Sequence, residues 1–137
     1  MGKQILIVDD DAAVTSFYSR YLTFEGYSVT IAETCAAATA LLAHWRPDVI
    51  IVDWWLPDAD GDVWATALRL RSDFARMPIM VVTGRDLPRA TINRLTDYQI
   101  TRFQKPFSLE SFSAALARLL NGQNGNHAVG VSREASA

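Results

Sequence analysis

The sequence predicts a doubly wound α/β domain, with five parallel strands and helices on both faces of the sheet. Three observations carry that prediction. Short β-rich apolar runs recur five times, segments of helical periodicity lie between them, and the strongest runs are apolar on both faces. A strand with two apolar faces must be covered twice, as parallel strands joined by right-handed helical crossovers are.

The first run, QILIV at 4–8, leads into 12–25, where Val14, Phe17, Tyr18, Tyr21, Leu22 and Phe24 recur at helical spacing. YSVTIA at 27–32 reads as the second strand, and 34–45 runs through alanines to Leu41 and Leu42 as the second helix. DVIIV at 48–52 is the third strand, followed by a helix over 62–73 carrying Val63, Trp64, Ala67, Leu68 and Leu70. PIMVV at 78–82 is the fourth, with a helix at 87–97 built on Ile92 and Leu95. TRFQ at 101–104 is the fifth and weakest, and the last helix, 108–120, opens on Ser108 with a carboxylate close behind, a capping signal. Periodicity then stops: 121–137, NGQNGNHAVGVSREASA, is rich in Gly, Asn and Ser. The expected organisation is one domain over 1–120 and a flexible tail or linker over 121–137.

A chain of 137 residues suits one domain and is long enough to bury roughly two thirds of its unfolded surface. An apolar fraction of 50%, a charged fraction of 20% and a net charge of −2 give no basic footprint for nucleic acid or anionic lipid. The lone cysteine, Cys35, has no partner for a disulfide and reads as a packing residue, which favours a reduced setting. The apolar start is too short for a signal peptide, no run approaches the ~20 residues of a membrane helix, and Leu6 stands where a myristoylation signal wants Ser or Thr. The expected location is cytoplasmic.

In open parallel sheets ligands sit beyond the carboxyl ends of the strands where the strand order reverses, which for the five-strand order 2-1-3-4-5 lies between the first and third strands. Asp9, Asp10 and Asp11 follow the first and Asp53 ends the third, so neighbouring strands deliver several carboxylates to one crevice. Two charges ~4 Å apart repel by about 4 kcal/mol at an effective dielectric of 20, and a divalent cation is the natural compensation. Oxygen ligands with room for water suit Mg²⁺, which binds alongside phosphate oxygens. Thr83 and Lys105, at the ends of the fourth and fifth strands, add a hydroxyl and an ammonium. A carboxylate nucleophile, a metal, a hydroxyl and a cation are the parts that move a phosphoryl group. Each residue alone has a structural reading as a helix cap, a turn or the start of a loop; their joint placement favours chemistry.

With ILIVDDD at the first strand, Asp53 before LPDADG, PIMVVTG at the fourth strand and QKPF before the last helix, residues 3–120 resemble the receiver domain of bacterial two-component response regulators. The resemblance implies a flavodoxin-like receiver fold, strand order 2-1-3-4-5, in which Asp53 accepts a phosphoryl group. Asp9, Asp10, Asp53 and the backbone carbonyl of Trp55 would hold Mg²⁺, Thr83 and Lys105 would bind phosphoryl oxygens, and the bond before Pro106 would be cis. Such a domain is no conventional enzyme but catalyses its own phosphorylation and autodephosphorylation. The donor would be a histidine kinase or phosphotransfer protein, and the output a downstream protein reached through helix 4, strand 5 and helix 5, with a homodimer as a further arrangement. Because no effector segment follows, a stand-alone domain is expected; the alternative is the receiver module of a larger hybrid histidine kinase or multidomain regulator.

Other classes fit less well. A haloacid-dehalogenase-type phosphatase would want Thr or Val where Ala13 stands, and a flavin carrier would want a hydroxyl- and Gly-rich loop where this chain is acidic. A receiver that has lost its chemistry would lack some of the five chemical positions, and all are present. The chain departs from the family at Arg102, where a switching Tyr or Phe is usual, and at Tyr98-Gln99, where Gly-Ala is common. A guanidinium resists burial, so Arg102 is expected to stay outward and serve recognition. Strand alternation predicts Trp54 in the core, whereas Trp55 with Arg85 is expected to form a lid over the phosphoryl site, although Gly84, directly after Thr83, leaves the site sterically open on its side. His44, at the end of the second helix, and His127, in the tail, are not expected to transfer phosphate.

Overall fold

In the computed structural model, which describes residues 2–122, strands and helices alternate along the chain. They are β1 (Gln4–Val8), α1 (Ala12–Phe24), β2 (Ser28–Ala32), α2 (Cys35–Leu42), β3 (Val49–Asp53), α3 (Gly61–Arg69), a 3-10 turn (Ser72–Phe74), β4 (Ile79–Thr83), α4 (Arg89–Asp97), β5 (Thr101–Gln104) and α5 (Leu109–Leu120). The sheet order is β2-β1-β3-β4-β5, every pairing parallel, as expected. The tail expected over 121–137, apart from Asn121 and Gly122, and with it His127, lies outside the described residues. Among the described residues no helix is long and apolar enough to cross a membrane.

Alternation along the strands builds two cores. Leu6, Val8, Ile50, Val52, Ile79 and Val81 face α2, α3 and α4, where they meet Ala38, Leu42, Ala65, Leu68 and Leu95. Ile5, Ile7, Val49, Ile51, Met80, Val82 and Phe103 face α1 and α5, where they meet Leu22, Phe112, Leu116 and Leu119. On that second face the rings of Phe107 and Phe112 stack at 5.4 Å, Tyr18 lies 5.3 Å from Phe112, and Phe103 meets Phe107 edge-on at 4.6 Å.

Several boundaries differ from the sequence reading, most by one or two residues, and α2 ends at Leu42 rather than 45. Asp53 and Thr83 continue β3 and β4 by one residue because they still pair across the sheet, Asp53 with Val82 and Thr83 with Gln104. The third helix ends at Arg69 rather than 73: the 3-10 turn carries Phe74 into full burial, with the Arg46 and Arg71 guanidiniums 4.2 and 4.9 Å from its ring, while Leu70 is left 67% exposed. At the end of α4, Gln99 takes the left-handed conformation (φ 56°) that a glycine would hold more easily, and Ile100 N–H closes the turn on Leu95 O at 2.8 Å.

Candidate functional site

The carboxyl ends of β1, β3, β4 and β5 converge on one crevice. Asp53 closes β3 on the α1/α5 side of the sheet, and Lys105, just past β5, brings its Nζ to 3.4 Å from Asp53 Oδ1. The other oxygen, Oδ2, accepts the Trp55 main-chain N–H at 3.2 Å. Thr83, the last residue of β4, is buried, and its Oγ1 accepts the Arg85 N–H at 3.2 Å. The peptide bond between Lys105 and Pro106 is cis. Lys105 N–H donates to Thr83 O at 2.8 Å, so the two side-chain carriers are tied through their main chains.

The three acids after β1 divide their work. Asp9 is buried, its N–H continuing the sheet to Ala32 O at 3.0 Å and its Oδ1 accepting the Asp11 N–H at 3.0 Å. Asp10 is exposed at the rim. Asp11 is the cap of α1, its Oδ1 accepting from Ala13 and Val14 at 3.0 and 3.2 Å, so for this one acid the structural reading holds. Burial pushes the Asp9 carboxyl up to about 6; the Asp11 N–H opposes that, the Asp53 charge adds to it, Lys105 opposes it and Asp10 adds to it.

A cation fits this arrangement. The available donors are all oxygen, Asp9 has two acids in its neighbourhood, and among the described residues Asp53 is held by two long contacts. Among the described residues no three carboxylate, His or Cys side chains group into a metal site of their own, so main-chain oxygen and water must complete any coordination.

The residues expected to modulate the site fall as follows. Trp54 is buried in the core beside Ala65 and Leu68, on the face away from Asp53, whereas Trp55 is 59% exposed. The Arg85 guanidinium lies 5.2 Å from the centre of the Trp55 ring, the stacking anticipated for a lid. A side chain at Gly84 would meet nothing closer than Lys105 Cβ and Cδ at 4.0 Å, so that side is open. Arg102, expected to stay outward, is half-buried in β5, opposite Val81 in the register. His44 is exposed past the end of α2.

Two residues of the site carry no mark in the sequence. Tyr18 reads there only as a core position of α1, yet it lines the crevice with Asp9, Asp53 and Lys105, and burial beside Asp9 and Asp53 raises its phenol to about 12. Asp58 reads only as one acid of LPDADG, with no role of its own; its carboxylate reaches the start of α2. No sequence signal marks that contact, because its partners are main-chain N–H groups.

Comparison with known proteins agrees with this arrangement. Residues 5–117 match the family described as "Response regulator receiver domain". The response regulator MprA of Mycobacterium sp. (strain KMS) is 38% identical over 120 residues, which is 88% of this chain and 51% of that protein. The chain therefore spans about half the length of the curated relatives it matches. Among solved structures, the chemotaxis response regulator CheY4 of Vibrio cholerae superposes with a TM-score of 0.77 at 28% identity, covering 87% of this chain and 99% of that one. The signal receiver domain of a signal transduction histidine kinase from Syntrophus aciditrophicus gives 0.79 at 27%, covering 88% and 92%. With its sheet order, its crevice and a family match over most of its length, the chain belongs to the response regulator receiver domains of two-component signalling.

Proposed function

We propose that this receiver domain, spanning residues 1–120 with 121–137 as tail or linker, accepts a phosphoryl group on Asp53 in a Mg²⁺-dependent phosphorelay. The observation that carries the reading is the Lys105 ammonium 3.4 Å from the Asp53 carboxylate, with Thr83 ending the adjacent strand. An oxygen of Asp53 attacks the phosphorus of a phosphohistidine on the donor protein. The phosphorus–nitrogen bond breaks, its electron pair stays on the imidazole, and an acyl phosphate forms on Asp53. Lys105 and the Thr83 hydroxyl then hold phosphoryl oxygens. Asp9, Asp10, Asp53 and the Trp55 carbonyl would hold Mg²⁺, which supplies charge neutralisation on the transferring group. Hydrolysis reverses the state: water attacks phosphorus and the bond to the Asp53 oxygen breaks.

Incubation with acetyl phosphate and Mg²⁺ adds one phosphate to the wild type and none to Asp53→Asn; equal labelling of the variant would sink the assignment. The stacked Trp55 and Arg85 offer the attacking water no acid or amide and cover its approach, which supports a long-lived phosphorylated state. A contact of this kind, worth about 0.5–1.4 kcal/mol, corresponds to roughly two- to tenfold in rate. Decay of phospho-Asp53 is therefore expected to quicken by that factor in Trp55→Asn and in Arg85→Ala, and unchanged decay in both would leave Trp55 with no covering role.

The donor is a histidine kinase or phosphotransfer protein in the cytoplasm, and the output passes to a protein partner, or to a second copy, across α4, β5 and α5, where Arg102 acts in recognition. A second reading, the receiver module of a larger hybrid histidine kinase or multidomain regulator, draws support from the neighbour described as the receiver of a signal transduction histidine kinase. The gene sequence past Ala137 distinguishes the two.

A further inference from the structure

The loop between β3 and α3 carries Trp55 and is anchored at its tip to a different helix. Asp58 Oδ1 accepts the N–H of Cys35 at 3.0 Å and its Oδ2 accepts the N–H of Ala36 at 2.9 Å. These are the first two N–H groups of α2, and their own local cap, Thr34, serves only Ala37, at 2.9 Å. A carboxylate at a helix start also gains from the aligned peptide dipoles, and these N–H groups hold the Asp58 carboxyl below its usual range.

The rest of the loop is fixed to the end of β3. Trp55 pairs with Asp60 in an isolated antiparallel bridge, and Gly61 N–H donates to Trp54 O at 2.7 Å. Gly61 sits so close that a Cβ there would lie 2.0 Å from Asp53 O. The loop thus has a fixed base and a tip that Asp58 ties to α2. α2 in turn is packed on β1 and β2 through Ala38 and Leu42.

The geometry points to Asp58 as a positioning residue for the phosphoryl-transfer site: by binding the start of α2 it fixes the main chain that presents the Trp55 carbonyl to Mg²⁺. This rests on the reading of Asp53 and Trp55 given above. Asp58 touches neither substrate nor metal. It acts through the loop, as outer residues that orient metal ligands do elsewhere.

The alternative is that Asp58 merely stabilises α2, and Thr34→Ala provides that control because it weakens the same helix start without touching the loop. In the metal-free protein, amide hydrogen exchange at Trp55 and Gly61 is expected to quicken in Asp58→Ala and to stay at the wild-type rate in Thr34→Ala. Calorimetric titration with MgCl₂ is expected to show about tenfold weaker binding for Asp58→Ala, an intermediate loss for Asp58→Asn, which keeps one acceptor oxygen, and none for Thr34→Ala. Labelling by acetyl phosphate should recover in Asp58→Ala at saturating Mg²⁺. If Asp58→Ala and Thr34→Ala lower thermal stability alike while Mg²⁺ affinity and loop exchange match the wild type, Asp58 is a helix cap and the inference fails alone. If the wild type itself does not bind Mg²⁺, the site reading fails and the inference with it.

Discussion

Two buried carboxylates of the domain are provided for in opposite ways. Asp62, in the first turn of α3, is 3% exposed and forms an ion pair with Arg94 of α4. Asp9, beyond β1, is 8% exposed, and the cation in the crevice, Lys105, makes its contact with Asp53 instead. Burial raises both carboxyls above their usual range, in Asp62 against the pull of Arg94 and in Asp9 against that of the Asp11 N–H. The pair at the α3–α4 seam is internal, and Arg69 extends it by donating to Tyr98 O, Phe74 O and Gln99 O at 2.9, 2.8 and 3.1 Å. Among the described residues the crevice offers Asp9 no ion pair of that kind. A buried acid matched from within serves the fold, whereas one left to be matched from outside is a place for a ligand.

Breaking the seam gives the largest expected effect. Arg94→Met leaves Asp62 buried without its cation, with Oδ1 already lacking a hydrogen-bond partner, and is expected to cost roughly 3 kcal/mol in urea denaturation at neutral pH. The combined Asp62→Leu and Arg94→Met variant should regain most of that loss, since an apolar pair needs no compensation. If the single variant is as stable as the wild type, the seam is not held by its charges.

The crevice should instead reveal itself through pH. The folded value for Asp9, about 6, lies above the unfolded value of 3.8, so its contribution to stability is complete below about pH 3.8 and is lost as pH rises through 6. Across that window the metal-free protein is expected to lose on the order of 2–3 kcal/mol through this group, since a tenfold change in proton affinity is worth about 1.4 kcal/mol. Asp9→Asn should flatten that part of the profile, and Mg²⁺ should restore stability to the wild type at pH 7.5 but much less to the variant. A profile identical in the two proteins would remove the distinction between the two acids.

The smallest effect tests whether the seam is structural only. Gln99→Gly relieves the left-handed conformation at the end of α4 and is expected to add roughly 0.5–1 kcal/mol, while acetyl phosphate labelling stays unchanged. Altered labelling would mean that the seam reaches the chemistry.

Much of this architecture is legible in the sequence because its signals are local. The runs ILIV, VIIV and IMVV mark β1, β3 and β4, and the acids and the lysine at strand ends converge because parallel strands share one carboxyl edge. Periodicity misleads where it cannot report burial. Leu70, Phe17 and Phe24 fit helical spacing yet are 67, 55 and 88% exposed. The Asp62–Arg94 pair and the Asp58 anchor are hidden for another reason: their partners lie 32 and 23 residues away, and in the second case they are peptide groups that no letter of the sequence distinguishes.

The adjacent indoles Trp54 and Trp55, 7 and 59% exposed, also give the protein two optical reporters one residue apart. Trp54, enclosed by the core, is expected to emit toward the blue and to be shielded from a dissolved quencher such as acrylamide. Trp55, exposed and next to the crevice, is expected to emit toward the red and to be accessible to the quencher. Trp45 and Trp64 are half-buried and add a background that a Trp55→Phe difference spectrum removes. Unfolding is expected to shift the blue component, and phosphorylation of Asp53 as proposed above to change the red one, so that the two can be followed separately in one cuvette without a label.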